Sequence, residues 1–338
     1  MAGDVAGAGV VLWRELLAEA AERLTAAGVA SADIEARRIV VASAGCDDAA
    51  WHSELDRPAT RRGVASFDRM LARRTAGEPL QYVLGSWGFR ALDLFVDRRV
   101  LIPRPETEIT AGCALAELQR LAELQRRADA SGGGGGLPLR SSTQARVAAA
   151  RPPAPPPPSP VSQGASVLLA ADLGCGSGAI GLSLAVECLD VEVICTDVSP
   201  EALAVASANL AGLGRPARRV RLAEGSWYAA LPADLRGRFD VLVSNPPYIA
   251  AGGRLPPEIT DHEPPVALYS GPTGTEATRT ILAGAPEWLA PGGAVVLEMA
   301  DGTAGRVEEL AHAEGLEEVA VHHDLAGCER VLVARRPG

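Results

Sequence analysis

The sequence predicts an α/β fold with a seven-stranded, mostly parallel, doubly wound sheet, preceded by a small all-helical N-terminal domain and a β-hairpin linker. Two observations support this prediction. Apolar runs at residues 167–171, 191–197 and 239–244 are separated by stretches with helical spacing, as in sheets built from strand-helix-strand units. Residues 10–76, in contrast, show helical periodicity alone. We expect the last hairpin of the chain to bring one antiparallel strand to the sheet edge.

Length, composition and charge limit the possible functions. At 338 residues and 47% hydrophobic content, the chain is long enough for two domains with a full core. The formal net charge is −10, and residues 166–338 hold 23 acidic residues against 12 arginines. Because enzymes of DNA and RNA usually carry a basic surface, this acidic half predicts no stable binding of nucleic acid.

The cysteine and hydropathy patterns bear on metal binding and location. None of the six cysteines forms a C-x-x-C pair, so we expect no bound metal and no disulfide framework. No apolar run reaches the length of a membrane span, and the N-terminus lacks a basic segment ahead of an apolar one. We expect a cytoplasmic protein without membrane contact, and we expect it to be a monomer.

Residues 1–76 are predicted to form the helical domain. Ser31 can cap a second helix that runs to Ala44 and stops at Gly45, and a third helix follows Pro58. Apolar stripes on such helices are core in most proteins. A compact helical module ahead of a catalytic domain can also recognise a substrate.

Residues 77–102 are predicted to form the β-hairpin linker, because they combine glycines with alternating polarity. A domain at residues 103–338 follows. Two prolines hold Arg104 in an extended segment, and Pro105 can start a helix, so this stretch is either a stiff hinge or a wall of the active site. The glycine runs and proline runs at residues 131–165 predict a disordered insertion.

A glycine-rich turn follows the apolar run at residues 167–171. Residues 172–181 read DLGCGSGAIG, and glycines let a backbone turn sharply and approach a ligand at a strand-to-helix junction. The strand at residues 191–197 then ends in Asp197, where an acid can bind ribose hydroxyls. This order predicts a nucleoside-containing cofactor. NAD and S-adenosylmethionine share the architecture, so the loop does not choose between them.

The tetrapeptide at residues 245–248, Asn-Pro-Pro-Tyr, ends another predicted strand, where open α/β sheets bind ligands. The Asn245 side-chain oxygen and the Pro246 carbonyl can both accept hydrogen bonds from one planar NH2 group, on which Tyr248 can stack. A rigid turn is the alternative interpretation. Methyl transfer to nitrogen needs such contacts and hydride transfer does not, so we expect S-adenosylmethionine, with Asn245, Pro246 and Tyr248 as the catalytic residues.

Residues 174–178 and the tetrapeptide together resemble class I S-adenosylmethionine-dependent amino-methyltransferases, a group that includes adenine-N6 DNA enzymes. A narrower resemblance, to the release-factor glutamine methyltransferases of the PrmC/HemK type, covers nearly all of residues 77–335 except the insertion. It is carried by the residues at 77–89, LIPRPETE at 101–108, GSW at 225–227, NPPYI at 245–249 and HEP at 262–264.

This resemblance implies a Rossmann-like methyltransferase sheet and methylation of the side-chain amide nitrogen (N5) of Gln in the Gly-Gly-Gln motif of class-1 peptide chain release factors. It also implies that the helical domain docks the release factor. The implied cofactor-binding residues are Gly174, Cys175, Gly176, Ser177, Gly178, Asp197, Trp227 and Asn245. The implied substrate-binding residues are Asn245, Pro246, Pro247, Tyr248, Phe89 and Arg104.

The sequence departs from the family pattern at the insertion and at residues 298–303, which lack the Gly and Gln that the family often shows after this strand. Three alternatives remain open at the level of sequence. They are an adenine-N6 methyltransferase acting on nucleic acid, a cofactor-binding scaffold without catalysis, and a nicotinamide oxidoreductase.

Overall fold

The computed structural model describes residues 11–47, 49–131 and 167–338. The predicted disordered insertion at residues 131–165 therefore lies outside the described residues, apart from Ser131 at the end of a helix. Among the helices of the described residues, none combines the length and apolar character that a bilayer span requires.

The N-terminal region is helical, as predicted. The bounds of its helices are α1 Trp13–Ala26, α2 Ala32–Ala44, α3 Trp51–Glu54, α4 Arg61–Thr75 and α5 Leu80–Leu84. The last of these lies inside the predicted hairpin linker, where a helix was not expected, and the hairpin begins only after it. These helices share a hydrophobic cluster of their own, in which Leu24, Ile39 and Phe67 are fully buried. Gly45 ends α2 with a φ of 66°, a left-handed conformation that glycine adopts without strain. This cluster makes the helical region a packed unit.

A two-stranded antiparallel sheet follows, formed by β1 Ser86–Phe89 and β2 Leu92–Phe95. Its buried side chains belong to the core of the large sheet that follows in the chain, together with residues of the next helices. The Asn209 side chain bonds both the backbone N–H and the carbonyl of Phe95, and it also donates to the Ser177 carbonyl. The hairpin is thus fixed to the glycine-rich loop. The domain boundaries at residues 76 and 102 stay predictions.

The large sheet has seven strands in the order β5-β4-β3-β6-β7-β9-β8. Their bounds are β3 Leu168–Leu173, β4 Val191–Asp197, β5 Val220–Glu224, β6 Phe239–Ser244, β7 Leu289–Glu298, β8 Glu317–His323 and β9 Glu329–Arg335. The first five of these are parallel, and β9 is antiparallel to both of its neighbours. The mostly parallel seven-stranded sheet is therefore confirmed.

One topological expectation is wrong, because the antiparallel strand β9 is not at the edge of the sheet. It lies between β7 and β8. The apolar residues at 331–334 of β9 are buried, whereas most of β8 is exposed. The more apolar strand gains more by pairing on both sides, and the polar strand occupies the edge.

Helices cover both faces of the sheet, which confirms the doubly wound arrangement. Their bounds are α6 Thr107–Ser131, α7 Ala179–Glu187, α8 Pro200–Gly212, α9 Pro257–Thr260, α10 Glu276–Trp288 and α11 Ala304–Ala313. Side chains of β6 alternate between the two faces: Val241 and Val243 face the cluster with α6 to α8, and Leu242 faces the cluster with α10 and α11. With both faces buried, the strand ends are left to line a site.

Candidate active site

A cavity of about 430 Å³ lies at the carboxyl ends of β3, β4 and β6. Because these parallel strands end at the same edge, the loops that follow them meet there. Residues from the stretch that precedes α6 and from the loop between β6 and α10 close the cavity. The structure thus brings the glycine-rich loop, Asp197, Trp227 and Asn245 to one place, although they are far apart in sequence.

The glycine-rich loop presents backbone rather than side chains to the cavity. Gly174, Gly176 and Gly178 have φ values of 73°, 55° and 85°, a region that L side chains rarely adopt. A Cβ on Gly176 would have no protein atom within 4 Å. A Cβ on Gly181, the first-turn glycine of α7, would lie 2.3 Å from the Cys195 sulfur. Gly176 leaves open space above the loop, while Gly181 lets α7 pack against β4.

Two aspartates face this loop from neighbouring strand ends. The Asp197 carboxylate accepts hydrogen bonds from the backbone N–H of Gly176 and of Ser199, at 2.8 and 2.9 Å. Asp172 is fully buried, and its Oδ2 accepts from the Gly181 N–H at 2.8 Å. Its Oδ1 has no partner in the described structure, and burial raises the pKa of this carboxyl to about 7. This oxygen, in the wall of the cavity, is free to accept a hydrogen bond from a bound ligand.

Trp227 borders the cavity beside the loop. Its ring would lie 3.2 Å from a Cβ on Gly174, and its φ of 47° is unusual for a bulky residue. The next residue, Tyr228, stacks on Trp288 with ring centroids 5.8 Å apart and donates to the Ile281 carbonyl at 2.6 Å. The strained Trp227 backbone is thus held by the packing of its neighbour, which is common at binding sites.

Asn245 directly follows β6 and borders the cavity, next to the first residue of α6. Its Nδ2 donates to the Thr107 hydroxyl at 3.0 Å, so its side-chain amide is already engaged on one side. Thr107 opens α6 and also borders the cavity. The side-chain oxygen of Asn245 remains as an acceptor.

The last residue of the tetrapeptide, Tyr248, and the residue after it, Ile249, are held by a neighbouring loop. The Ile249 N–H donates to the Leu268 carbonyl at 3.1 Å, and the Ser270 N–H donates to the Ile249 carbonyl at 2.8 Å. Gly274 permits this close approach, since a Cβ there would lie 2.6 Å from the Tyr248 carbonyl oxygen. Burial raises the pKa of Tyr248 to about 12, so its phenol is neutral at ordinary pH.

The predicted substrate-binding residues differ in where they lie. Pro247 and Asn245 border the cavity, and its lining does not include Pro246 or Tyr248. Arg104 forms an ion pair with Glu263 at 2.5 Å, joining two segments at the cavity. Phe89 is 1% exposed in the hydrophobic core, and the cavity lining does not include it. The roles of all these residues in binding stay predictions.

Three residues that border or brace the cavity were given no role of their own from the sequence: Thr107, Asp172 and Glu263. Asp172 could have been found, because an acid inside an otherwise apolar strand must be buried beside the glycine-rich loop. Thr107 and Glu263 lie in segments that carry the family resemblance, but their bonds to Asn245 and Arg104 span 138 and 159 residues. Local sequence patterns do not reveal such pairs.

The first comparison with known proteins concerns family models. Residues 15–85 match the model described as PrmC N-terminal domain, and residues 165–261 match the model described as Methyltransferase small domain. The first match covers the helical region up to the end of α5. The second covers strands β3 to β6, and the cavity lies at the ends of three of them.

Curated relatives match along almost the whole chain, and three of them are each named release factor glutamine methyltransferase. The protein of Xylella fastidiosa strain Temecula1 is 35% identical over 96% of this chain and 98% of its own length. That of Cereibacter sphaeroides is 35% identical over 96% and 98%, and that of Mycolicibacterium smegmatis is 33% identical over 96% and 97%. With identity at this level over both full lengths, the chain belongs to the release factor glutamine methyltransferase family.

Proposed function

We propose that this protein transfers a methyl group from S-adenosylmethionine to the side-chain amide nitrogen (N5) of the Gln in the Gly-Gly-Gln motif of class-1 peptide chain release factors. The observation that carries the proposal is the placement of Asn245. Its side-chain oxygen is left as an acceptor in the cavity that also holds the glycine-rich loop and Asp197. The names of the relatives support the same reaction and substrate.

The residues of the cavity fit the cofactor. S-adenosylmethionine supplies an electrophilic methyl group on a sulfonium when it is bound. The open space above Gly176 suits close approach of a ligand, and the Asp172 Oδ1 suits the ammonium group of a methionine. Asp197 suits ribose hydroxyls, because backbone N–H groups hold its carboxylate rigidly, and Trp227 suits an adenine face. Cys175, Ser177 and Gly178 complete the loop.

On the acceptor side, we assign substrate orientation to Asn245 and the Pro246 carbonyl. An amide nitrogen is a poor nucleophile, because its lone pair is delocalised into the carbonyl. Two acceptors that hold both N–H bonds of the glutamine can turn the lone pair toward the methyl group. Pro247 and the neutral Tyr248 shape the pocket around the planar group. The proton leaves after transfer, so no general base is required.

The proposal includes four further expectations, which concern the release factor, the oligomeric state, nucleic acid and the cellular compartment. The helical region docks the release factor, the protein acts as a monomer, it does not bind nucleic acid stably, and it works in the cytoplasm. The acidic balance of residues 166–338 supports a protein substrate over a polynucleotide.

Mass spectrometry of a release factor incubated with the protein and S-adenosylmethionine tests the proposal. We expect one added methyl group on the Gly-Gly-Gln peptide, and far less methylation in the same time when the enzyme carries Asn245→Ala. A release factor with the motif Gln replaced by Asn is the substrate control. A DNA oligonucleotide in the same reaction tests the adenine-N6 alternative. Methyl-adenine in the oligonucleotide without methyl on the protein would overturn the proposal.

A further inference from the structure

The loop between β6 and α10 forms part of the cavity wall, although most of it is poorly buried. It leaves the sheet after Ile249, whose N–H bonds the carbonyl of Leu268 where the loop returns. We call residues 250–267 the outer loop. None of residues 250–262 is buried, so a small number of contacts sets their position. The residues of the outer loop that border the cavity come after them, at Pro264, Val266 and Ala267.

The short helix α9 lies within the outer loop and contacts the helical region through an ion pair. The Glu258 Oε1 of α9 lies 3.1 Å from the Nη1 of Arg74. Arg74 belongs to α4, whose apolar side chains pack in the hydrophobic cluster of the helical region. The pair therefore joins the outer loop to a unit that is packed separately from the large sheet.

The Arg74 side chain is fixed by other bonds as well. The residue is 8% exposed, its Nε donates to the Glu35 carboxylate at 2.5 Å, and its Nη1 donates to the Glu78 carbonyl at 3.2 Å. Most surface ion pairs are weak, partly because two long side chains must both be ordered. Since Arg74 is already ordered, pairing with Glu258 restricts only one further side chain. This difference makes Arg74 an effective anchor for the outer loop.

A second anchor holds the outer loop where it reaches the cavity. The Glu263 carboxylate accepts from Arg104 at 2.5 Å and from the Ile102 N–H at 3.2 Å. Only residues 259–262 separate the two anchored glutamates in the chain. Because this connection is short, a shift of α9 reaches the residues of the loop that border the cavity.

We propose that Arg74 and Glu258 are positioning residues, which hold the outer loop against the helical region and thereby fix part of the cavity wall. The lining of the cavity includes neither of them. The effect on turnover rests on the proposed function, in which the release factor docks on the helical region. In that case the pair fixes the cavity wall relative to the docked substrate. The anchoring of the loop itself does not rest on the proposed function.

Hydrogen–deuterium exchange of the free protein tests the anchoring without turnover. Glu258→Gln removes the charge and keeps the size of the side chain. We expect the backbone amides of residues 260–270 to exchange about threefold to tenfold faster in this variant. Glu287→Gln is the matched control, because Glu287 forms an exposed ion pair with Arg236 at 2.7 Å, at the end of α10 away from the cavity. It should leave the exchange of residues 260–270 unchanged.

Two further exchange measurements distinguish an ion pair from packing. The Glu258 side chain is 48% exposed, so added salt screens its charge. Raising NaCl from about 0.05 M to about 0.5 M should speed exchange of residues 260–270 in the wild type and change it less in Glu258→Gln. Arg74→Met removes the other partner. Adding Glu258→Gln to Arg74→Met should therefore speed the exchange of this segment no further.

Turnover then tests the effect on the reaction. We expect Glu258→Gln to lower kcat/KM for a release factor by about threefold to tenfold, and Glu287→Gln to change it by less than about twofold. Wild-type exchange in Glu258→Gln, or an equal response of both proteins to salt, would overturn the positioning role. Faster exchange with an unchanged kcat/KM would overturn its effect on turnover. Absence of methylation by the wild-type protein would instead count against the proposed function alone.

Discussion

The two sides of the cavity are built in different ways. Most of the proposed cofactor side comes from one continuous stretch, residues 172–199, to which Trp227 is added, and it presents mainly backbone groups and rigid carboxylates. The proposed acceptor side comes from side chains that are distant in sequence, such as Thr107 with Asn245 and Arg104 with Glu263. Binding to exposed backbone is weakened by a substitution that adds atoms and fills the space above it. Binding through side-chain hydrogen bonds is weakened by a substitution that removes the bonding atoms. This difference predicts which substitutions weaken cofactor binding and which act on the acceptor side.

Loss of the Asn245 side chain should give the largest effect, a loss of turnover far greater than the loss of cofactor affinity. We expect Asn245→Ala to lower kcat on a release factor by about a hundredfold to a thousandfold, because an acceptor that orients the substrate is removed. The Kd for S-adenosylmethionine, measured by calorimetry, should rise by less than about fivefold. Near-normal turnover in this variant would show that Asn245 is not the residue that orients the acceptor.

Loss of Arg104 should act on the folding of the acceptor side. Glu263 is 3% exposed, and it accepts from both Arg104 and the Ile102 N–H. Arg104→Ala leaves a buried carboxylate with one partner fewer, so we expect the free energy of unfolding in urea to fall by about 2 kcal/mol. The double variant Arg104→Ala with Glu263→Gln should recover part of that loss. If the double variant is no more stable than the single one, the cost does not arise from an unpaired Glu263.

Gain of a methyl group at Gly176 should affect the cofactor side. The added Cβ meets no protein atom within 4 Å and so occupies open space of the cavity. We expect Gly176→Ala to raise the Kd for S-adenosylmethionine about tenfold, with kcat at saturating cofactor lowered far less.

Gly28→Ala is the matched control for that variant. Gly28 has a φ of 81° and also has no atom near its added Cβ, but it follows α1, away from the cavity. Both variants carry the same kind of backbone strain, about 1 to 2 kcal/mol. Equal cofactor affinities in the two variants would mean that the space above Gly176 is not used by the cofactor.

The same contrast explains what the sequence could predict. The glycine-rich loop and Asp197 were found because a strand, a turn and a helix appear in order within one short stretch. Asn245 was found because the two prolines after it mark a strand end. The partner of Asn245 was not found, since Thr107 appears in the sequence only as one residue of the segment at 101–108. Its contact with Asn245 appears when the sheet brings β6 beside α6.

The edge position of β8 shows a second limit. Both strands of the last hairpin carry a short apolar run between polar residues, at 319–321 in β8 and at 331–334 in β9, so a short apolar pattern alone does not decide which one is at the edge. The choice depends on which strand buries more apolar surface against α6 and α11, and that is a property of the assembled layers. Sequence patterns thus predict the helices and strands and which of their faces is buried, whereas packing decides which strands pair with one another.

The smallest expected effect concerns the pH dependence of stability. Burial raises the pKa of Glu298 to about 7, from 4.5 in an exposed glutamate. The charged groups that act on it are Glu106, which raises the pKa further, and Arg330, which lowers it. Between about pH 4.5 and pH 7 the folded protein holds a proton on Glu298 that the unfolded chain has lost. The proton bound only by the folded protein contributes to the free energy of unfolding. This contribution falls as pH rises, by about 1.4 kcal/mol per pH unit.

Glu298→Gln removes this titration while keeping the size of the side chain. We expect its stability relative to wild type to increase by about 1 kcal/mol between pH 6 and pH 7, as measured by urea unfolding at several pH values. Asp172 titrates in the same range and with the same sign, but it is present in both proteins and cancels in the difference. A difference that is constant across this range would show that Glu298 is ionised at both pH values.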